Sequence, residues 1–221
     1  MLRAMIRWPE RLWISGGRGF IGGRVVHFAR QAGVRVAVFD GDVRDADAVT
    51  RSLADAAPQV VMNLAAPVDV RRDPALIPLM DTVIVDGALN VHRASGDATL
   101  LQCGTCEEYG TIDAPFAEDD DPSEPVSPYA AAKLRSTRTL LDLDARRPDG
   151  PRVVVARPFL TYGPGQRSRA LIPAAVDAAL ARRPFPMTAG LQTRELNYVD
   201  DIARGLLLAA TTPAARGRIV N

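Results

Sequence analysis

Two side chains that can exchange a proton lie one helical turn apart in this 221-residue sequence. Three alanines separate Tyr129 from Lys133, and residues four apart on a helix share one face. A free tyrosine exchanges protons poorly near neutral pH because its pKa is about 10. A neighbouring ammonium group stabilises the phenolate, so we expect Lys133 to lower the pKa of Tyr129. The spacing predicts acid–base chemistry on a substrate hydroxyl; the alternative is an ordinary pair on a helix surface.

Thr105 is a third candidate for the same chemistry. It follows a short apolar segment that ends at Cys103 and reads as a strand. Its hydroxyl could hydrogen-bond a substrate oxygen while Tyr129 exchanges the proton. The alternative is a threonine that only stabilises a turn.

A glycine-rich segment, Ser15 to Gly22, lies between a predicted strand and a predicted helix. It fits G-x-G-x-x-G when read from Gly17 and G-x-x-G-x-x-G when read from Gly16. Such glycines permit a sharp turn, a close approach of the backbone to a pyrophosphate, and tight packing of helix on strand. The amide groups and dipole at the helix start also favour phosphate. The segment predicts a dinucleotide site; the alternative is a purely structural turn.

Asp40 ends the second predicted strand, where dinucleotide-binding folds place the residue that contacts the adenosine ribose. A carboxylate at this point accepts a hydrogen bond from the ribose 2′-hydroxyl and repels a 2′-phosphate. Asp40 therefore favours NAD over NADP, or else it is a solvated surface residue. Lys133 could bind the nicotinamide ribose of the same cofactor.

The hydrophobic pattern of the chain predicts the elements that must position these residues. Short apolar segments typical of buried strands alternate with segments of helical periodicity. This alternation predicts an α/β protein with a doubly wound parallel sheet, the Rossmann fold, whose ligands bind beyond the carboxyl ends of the strands. The predicted strands are 12–14, 34–39, 59–64, 99–103 and 153–156, the predicted helices are 20–32, 45–56, 74–95, 129–146, 170–181 and 200–210, and 113–128 is a predicted surface loop.

Composition excludes several other classes of protein. Hydrophobic residues make up 47% and charged residues 24%, and the net charge of +1 argues against a dedicated nucleic-acid binder. Two cysteines and two histidines predict neither a disulfide framework nor a zinc site. Trp8 and Pro9 interrupt the segment where a signal peptide would be apolar, and no segment approaches the ~20 apolar residues of a membrane span. We therefore expect a cytoplasmic protein with no membrane partner and no bound metal.

The motifs together resemble those of the extended short-chain dehydrogenase/reductases of the NAD-dependent epimerase/dehydratase family, which act on nucleotide sugars. Residues 15–22 resemble T-G-G-x-G-F-I-G, residues 104–110 resemble S-[ST]-x-E-x-Y-G, and residues 128–133 match P-Y-x-x-x-K. The order of the motifs is that of the family across nearly the whole chain. The other matches are 41–45 with G-D-[IV]-R-D, 63–66 with H-L-A-A, 157–166 with R-x-F-x-x-Y-G-P-G-Q, and 194–201 with R-D-F-x-Y-V-D-D.

The resemblance implies a complete set of site residues. Thr105, Tyr129 and Lys133 would be catalytic, and Thr105, Glu107 and Arg194 would contact the substrate. It also implies NAD as cofactor, with NADP as the alternative, a nucleotide-sugar substrate, and a homodimer formed through helices 74–95 and 129–146. The implied cofactor-binding residues are Gly16, Gly19, Phe20, Ile21, Gly22, Asp40, Asp42, Val43, Leu64, Ala65, Ala66, Tyr129, Lys133 and Pro158.

Three local departures from the family pattern bear on the reaction. Gly41 directly follows Asp40, whereas many members have another helix and strand between the ribose-binding residue and the G-D-[IV]-R-D motif. One short stretch must therefore provide both of these features. Compact ketoreductases of the family share this feature, and some of them prefer NADP. Cys106 stands where sugar-nucleotide dehydratases carry the acid that protonates the leaving hydroxyl, which disfavours 4,6-dehydration. Leu160 replaces an asparagine that binds the nucleotide phosphates in many members.

The fourth departure is at Asn221, where this sequence stops and family members continue with a segment that builds much of the sugar pocket. We expect a dinucleotide-binding domain over residues 1–160 and a partial substrate-binding region over 161–221, interleaved with the last Rossmann elements. The leading hypothesis is an NAD(P)-dependent nucleotide-sugar epimerase or 4-ketoreductase with Tyr129 as acid/base. The alternative is a truncated homologue that binds the cofactor but is catalytically impaired.

Overall fold

The computed structural model describes residues 7–112, 115–149, 152–167 and 170–221. The start of the predicted acidic loop, at Asp113, and Gly150 after the helix predicted over 129–146 lie outside these ranges. So do the first six residues of the N-terminal segment considered above.

Strands and helices alternate in the first half of the chain, as the hydrophobic pattern predicts. The helix α2 begins directly after Asp45, whose carboxylate accepts a hydrogen bond from the Ala48 amide. The elements are β1 Arg11–Ser15, α1 Phe20–Gln31, β2 Arg35–Phe39, α2 Ala46–Ala56, β3 Val60–Asn63, α3 Ile77–Met80, α4 Gly87–Ala94 and β4 Thr99–Cys103.

The second half continues the alternation and adds two very short strands. Ser127 caps the long helix α5 by accepting a hydrogen bond from the Ala130 amide. The elements are α5 Pro128–Ala145, β5 Val153–Ala156, β6 Leu160–Tyr162, α6 Leu171–Leu180, β7 Leu196–Tyr198, α7 Val199–Thr211 and β8 Arg218–Val220.

Six of the strands form one parallel sheet in the order β2-β1-β3-β4-β5-β8. The chain first builds outward from β1 to β2, and then returns to the other side of β1 with β3. This reversal opens a crevice beyond the carboxyl ends of β1 and β3, where ligands of such sheets bind. The architecture confirms the predicted doubly wound α/β fold.

Two hydrophobic layers cover the faces of the sheet. Leu12 and Ile14 of β1 point into the layer formed with α1 and α7. Trp13, between them, points to the opposite layer, which contains side chains of α2, α4 and α5. Both faces of β1 are therefore buried, which explains why its sequence is continuously apolar rather than alternating.

The helix predicted over 74–95 is a mixed helix over Pro74–Ala94. A 3₁₀ turn precedes α3, and a π-helical segment, Asp81–Asp86, joins α3 to α4. By length and composition this helix could cross a membrane, contrary to the expectation that no segment approaches such a span. Its Met80 and Ile84 pack against Tyr129, so the π-helical segment borders the candidate site.

The strands β6 and β7 were not predicted. They form a separate two-stranded parallel sheet in which Leu160 pairs with Leu196 and Tyr162 with Tyr198. Three residues are too few to show a period of two, and long-range pairing cannot be read from local pattern. The sheet ties the segment after β5 to the start of α7.

Candidate functional site

The glycine turn after β1 has no room for side chains at two positions. Gly16 has φ +69°, and a Cβ there would lie 2.8 Å from the Leu64 carbonyl carbon. A Cβ on Gly22 would lie 2.2 Å from the Gly16 oxygen. The absence of these two side chains lets the turn after β1 lie against the turn after β3, and lets the first turn of α1 lie against the turn after β1. The result is the backbone cradle that a dinucleotide pyrophosphate requires.

The first turn of α1 is open at the end that faces this cradle. Gly19 is the residue before the helix and supplies no capping side chain, and no acidic residue lies in the first turn. The Gly19 amide donates to the Gly16 oxygen at 2.9 Å, which closes the turn. The amides of Phe20, Ile21 and Gly22 follow. This arrangement favours an anion at the helix start.

A buried polar ladder lies beneath the cradle, and the sequence reading missed it. Ser15 Oγ donates to Asn63 Oδ1 at 2.6 Å, and Asn63 Nδ2 donates to Gln102 Oε1 at 2.8 Å. The Ala65 amide donates to Ser15 Oγ at 3.3 Å. The ladder joins the ends of β1, β3 and β4 and fixes the Leu64–Ala66 loop beside the glycines. Its sequence signal is a polar residue near the end of each of three adjacent apolar strands.

The rim beyond β2 carries paired charges. Asp40 contacts the guanidinium of Arg18, and both side chains are exposed. Asp42 accepts from Arg44, which holds the pKa of the Asp42 carboxyl below its usual value. Arg18 was not among the predicted site residues, although it lies within the glycine motif.

Val43 is buried between this rim and the helix α4. A Cβ on Gly87 would lie 2.6 Å from Val43 Cγ2, so glycine permits the close approach. Asn90 Nδ2 donates to the Val43 carbonyl at 3.1 Å and so fixes the backbone after Asp42. These two residues, both implied to bind the cofactor, thus differ, since Asp42 is exposed and Val43 faces the interior.

Tyr129 and Lys133 are both buried at the start of α5, with 7% and 2% of their surfaces exposed. Lys133 Nζ donates to the Cys103 carbonyl at 2.5 Å and lies 5.8 Å from the centre of the Tyr129 ring. The helix therefore faces the end of β4, and burial lowers the pKa of Lys133. The predicted juxtaposition of the two residues is present.

The predicted direction of the Tyr129 shift is wrong for this structure. The pKa of Tyr129 lies well above its ordinary value, because burial penalises the phenolate and the acidic groups of Cys103, Glu107 and Glu108 add to the penalty. Thr105 opposes the rise through a side-chain hydrogen bond. The Lys133 ammonium, which donates to the Cys103 carbonyl, does not reverse the rise.

Thr105 precedes a short 3₁₀ helix, Cys106–Tyr109, and closes a capping box with it. Its Oγ accepts from the Glu107 amide at 3.3 Å, and its amide donates to Glu108 Oε1 at 3.0 Å. The Cys106 amide donates to the Pro158 carbonyl at 3.2 Å, which brings the turns after β4 and β5 together. Thr105, Tyr129, Lys133 and Pro158 thus meet at one edge of the sheet.

Two further ionisable groups lie beside Thr105. Burial, with a smaller contribution from Glu107, raises the pKa of the Cys106 thiol to about 11. Burial also raises the pKa of Glu107. The charge of Glu195, in the loop before β7, adds slightly to the rise at Cys106.

Arg194 is exposed in that loop, and its Nη1 donates to the carbonyl of the neighbouring Thr193 at 2.7 Å. Leu160, at the asparagine position of the family pattern, opens β6 and is exposed. The structure thus brings Thr105, Tyr129, Lys133 and Pro158 together at the ends of β4 and β5, while Arg194 is exposed in the loop before β7.

Residues 12–221 match the sequence profile described as the NAD dependent epimerase/dehydratase family. The low-salt glycan biosynthesis protein Agl12 of Haloferax volcanii is 33% identical over 73% of this chain and 52% of its own length. A dTDP-glucose 4,6-dehydratase of Xanthomonas campestris is 29% identical over 93% of this chain and 68% of the enzyme. A UDP-glucose 4-epimerase of Mycolicibacterium smegmatis is 31% identical over 81% of this chain and 59% of the enzyme. The chain therefore spans about half to two thirds of these relatives.

Among solved structures, MoeE5 in complex with UDP-glucose and NAD is similar to this chain, with a TM-score of 0.80 and 27% identity. The match covers 95% of this chain and 74% of that chain. Sequence and structure comparisons therefore point to the same group of proteins.

Proposed function

Because the chain belongs to the NAD-dependent epimerase/dehydratase family, we propose that it acts on a nucleotide sugar as an epimerase or 4-ketoreductase. The observation that supports this most is the meeting of Thr105, Tyr129 and Lys133 beside the glycine cradle. A proton-exchanging group and a dinucleotide site at one sheet edge are what oxidation of a hydroxyl and reduction of a carbonyl require.

The residues present fit NAD. Gly16 and Gly22 let the turn after β1 pack closely on the turn after β3 and on α1, and the uncapped start of α1 would bind the pyrophosphate. Lys133 would bind the nicotinamide ribose, and Leu64–Ala66 and Pro158 would contact the cofactor. When bound, the nicotinamide supplies or accepts the hydride.

Tyr129 would exchange the proton of the sugar hydroxyl. Its raised pKa keeps it protonated through neutral pH, so the resting side chain is ready to donate. Accepting a proton requires stabilisation of the phenolate, to which the Thr105 hydroxyl contributes by hydrogen bonding. Thr105 would also orient the sugar hydroxyl, and Glu107 would face the sugar.

Cys106 argues against 4,6-dehydration. A thiol of pKa about 11 is a far weaker acid than a carboxylic acid of pKa about 4, and dehydration needs a group that protonates a leaving hydroxyl. Epimerisation and ketoreduction need no such donor beyond Tyr129. The weak acidity of Cys106 is therefore the reason to propose epimerisation or ketoreduction rather than the 4,6-dehydration named for some of the similar proteins.

NAD is the proposed cofactor, and NADP remains the alternative. The family is NAD-dependent, and Asp40 stands where a carboxylate accepts from the ribose 2′-hydroxyl. Arg18 bears on the alternative, because a guanidinium beside Asp40 could pair with a 2′-phosphate.

The organisation of the protein is part of the proposal. We place the dinucleotide-binding domain over residues 1–160 and the substrate-binding region over 161–221.

A second copy of the chain would cover the Pro74–Ala94 helix, whose Ile77 and Leu79 are exposed. A cytoplasmic location would suit the reduced cysteines.

A second candidate function is cofactor binding without turnover. It needs only the elements proposed to bind the cofactor, the glycine turn after β1 and the uncapped start of α1.

The test is incubation of the purified chain with NAD⁺ and UDP-glucose or dTDP-glucose, followed by proton NMR of the sugar. We expect a 4-epimer, or, with a nucleotide 4-keto sugar and NADH, a reduced sugar with loss of NADH absorbance. Tyr129→Phe should lower turnover by about 100-fold or more, because the proton donor is lost. NADH binding by this variant, measured by calorimetry, should persist, because the other residues proposed to bind the cofactor are unchanged.

Three results would contradict the proposal. A 4-keto-6-deoxy product would show dehydration. Full activity of Tyr129→Phe would remove the acid/base assignment. Tight NADH binding with no turnover of any nucleotide sugar would favour the second function.

A further inference from the structure

The carboxylate of Glu108 is fully buried, yet the family resemblance assigns it no role. Its two oxygens have different partners. Oε1 accepts from the Thr105 amide at 3.0 Å, and Oε2 accepts from Arg157 Nε at 2.9 Å. Arg157 is itself 1% exposed and follows β5. The Glu108 side chain therefore links the backbone of Thr105, the candidate catalytic threonine, to the buried guanidinium of Arg157 just after the neighbouring strand β5.

Gly104 makes space for this carboxylate. A Cβ at residue 104 would lie 2.4 Å from Glu108 Oε1, closer than real Cβ contacts permit. The family motif that residues 104–110 resemble carries serine at this position. The departure at Gly104 and the buried charge at Glu108 are therefore two parts of one local arrangement.

Arg157 has further contacts, with Tyr109 and with the backbone of Val220. Its guanidinium carbon lies 4.4 Å from the centre of the Tyr109 ring, and its amide donates to the Val220 carbonyl at 2.8 Å. Tyr109 in turn donates its hydroxyl proton to Asn221 Oδ1 at 2.9 Å. The position of Glu108 is thus set by groups of β5, β8 and the 3₁₀ helix together.

We propose that Glu108, held by Arg157 and accommodated by Gly104, is a positioning residue that fixes Thr105 relative to Tyr129. This inference rests on the proposed function for its catalytic meaning. A buried ion pair adds little net stability, because desolvation offsets the attraction, so its contribution here is geometric. Each oxygen of the Glu108 carboxylate faces a donor, and only a carboxylate offers two oxygens that both accept.

Two variants test the contact between Glu108 and Thr105. Glu108→Met removes both acceptors at similar volume but leaves Arg157 buried without its partner, which can prevent folding. Glu108→Met combined with Arg157→Met removes the whole pair and keeps an apolar, filled site. Asp144→Asn is the matched control, because Asp144 is equally buried and accepts from the Arg152 and Val153 amides at the far end of β5.

The first measurement is amide hydrogen exchange by NMR in the full chain. We expect the Thr105 amide of the double variant to exchange at least about ten-fold faster, because its acceptor is gone. The Gly104 and Cys106 amides should keep their rates, since their acceptors are the Ala156 and Pro158 carbonyls. Asp144→Asn should change none of the three rates.

The second measurement is turnover of UDP-glucose with NAD⁺. The double variant should lose about ten-fold in kcat while its KM for UDP-glucose and its calorimetric Kd for NAD⁺ stay within about two-fold. Asp144→Asn should keep kcat even where it lowers Tm. An inactive wild-type chain would contradict the proposed function on this probe, and amide exchange would still decide the contact with Thr105.

Three outcomes would overturn the inference. The Thr105 amide could exchange at the wild-type rate without Glu108. The three amides could accelerate together, which would mean that the turn opens as a unit. An active wild-type chain could also retain its kcat after loss of the pair.

Discussion

At the scale of single residues, solvent exclusion governs the proton affinity of Tyr129. The nearest ammonium, on Lys133, is hydrogen-bonded to a backbone carbonyl, and the acidic groups near the phenol act in the same direction as burial. The phenol therefore stays protonated at neutral pH. In the proposed complex with NAD⁺, the positive charge of the nicotinamide ring would favour the phenolate and oppose part of this rise.

The identities of these residues could be predicted from the sequence, but their energetics could not. The Y-x-x-x-K spacing places Tyr129 and Lys133 on one face regardless of context. The direction of a pKa shift depends instead on burial by α3 and on which carbonyl Lys133 reaches. The same holds for Glu108 and Arg157, which are distant in sequence and meet only because β4 and β5 are adjacent.

Asp40 and Arg18 provide a residue-scale prediction about cofactor choice. Asp40→Asn should raise the Kd for NADH by about ten-fold, because a charged acceptor for the ribose hydroxyl is lost. The Kd for NADPH should fall, because the amide does not repel a 2′-phosphate and Arg18 is released from its partner. Calorimetric titration with each cofactor measures both effects.

Asp55→Asn, an exposed change at the end of α2, is the control for that titration. Tighter binding of NADPH than NADH by the unmodified chain would contradict the role assigned to Asp40. It would also move the proposal towards an NADP-dependent ketoreductase.

At the scale of elements, the cradle depends on the contact between α1 and the turn after β1. Gly22→Ala should abolish NADH binding, because the new Cβ would lie 2.2 Å from the Gly16 oxygen and force the helix away from the turn. Calorimetry with NADH measures the loss, and circular dichroism checks that the sheet is still folded.

The adjacent glycine supplies the matched control. A Cβ on Gly23 would meet nothing closer than the Gly17 oxygen at 3.9 Å. Gly23→Ala should bind NADH normally and gain about 0.5–1 kcal/mol of stability, because alanine is the better helix former. Equal losses of binding in both variants would argue against the cradle.

Elements with strong local signals could be predicted to within one or two residues. The apolar segments 99–103 and 153–156 coincide with β4 and β5, since their flanking residues are polar or turn-forming. The π-helical segment in Pro74–Ala94 and the small sheet of β6 and β7 could not be predicted. Both are set by packing between distant segments, and three-residue strands carry no readable period.

At the scale of the whole molecule, an apolar helix surface predicts self-association. Ile77 and Leu79 are 43% and 42% exposed on a helix that is apolar enough to span a membrane. We expect a homodimer by sedimentation, and Ile77→Glu with Leu79→Glu should give a monomer because buried charges oppose association. NADH binding should persist, since neither residue lies at the cradle.

Leu180→Glu is the control for that experiment, because Leu180 is 79% exposed on α6, away from the proposed interface. It should leave the sedimentation coefficient unchanged. A monomeric unmodified chain at micromolar concentration would contradict the proposed dimer.

The contact between Gly104 and Glu108 couples the substitutions that the two positions can accept. A Cβ at residue 104 would lie 2.4 Å from Glu108 Oε1, so any larger residue there would require the carboxylate to shift. A shifted carboxylate would change its contacts with both the Thr105 amide and Arg157. The side chain at either position therefore limits which side chains the other can carry while these contacts are kept.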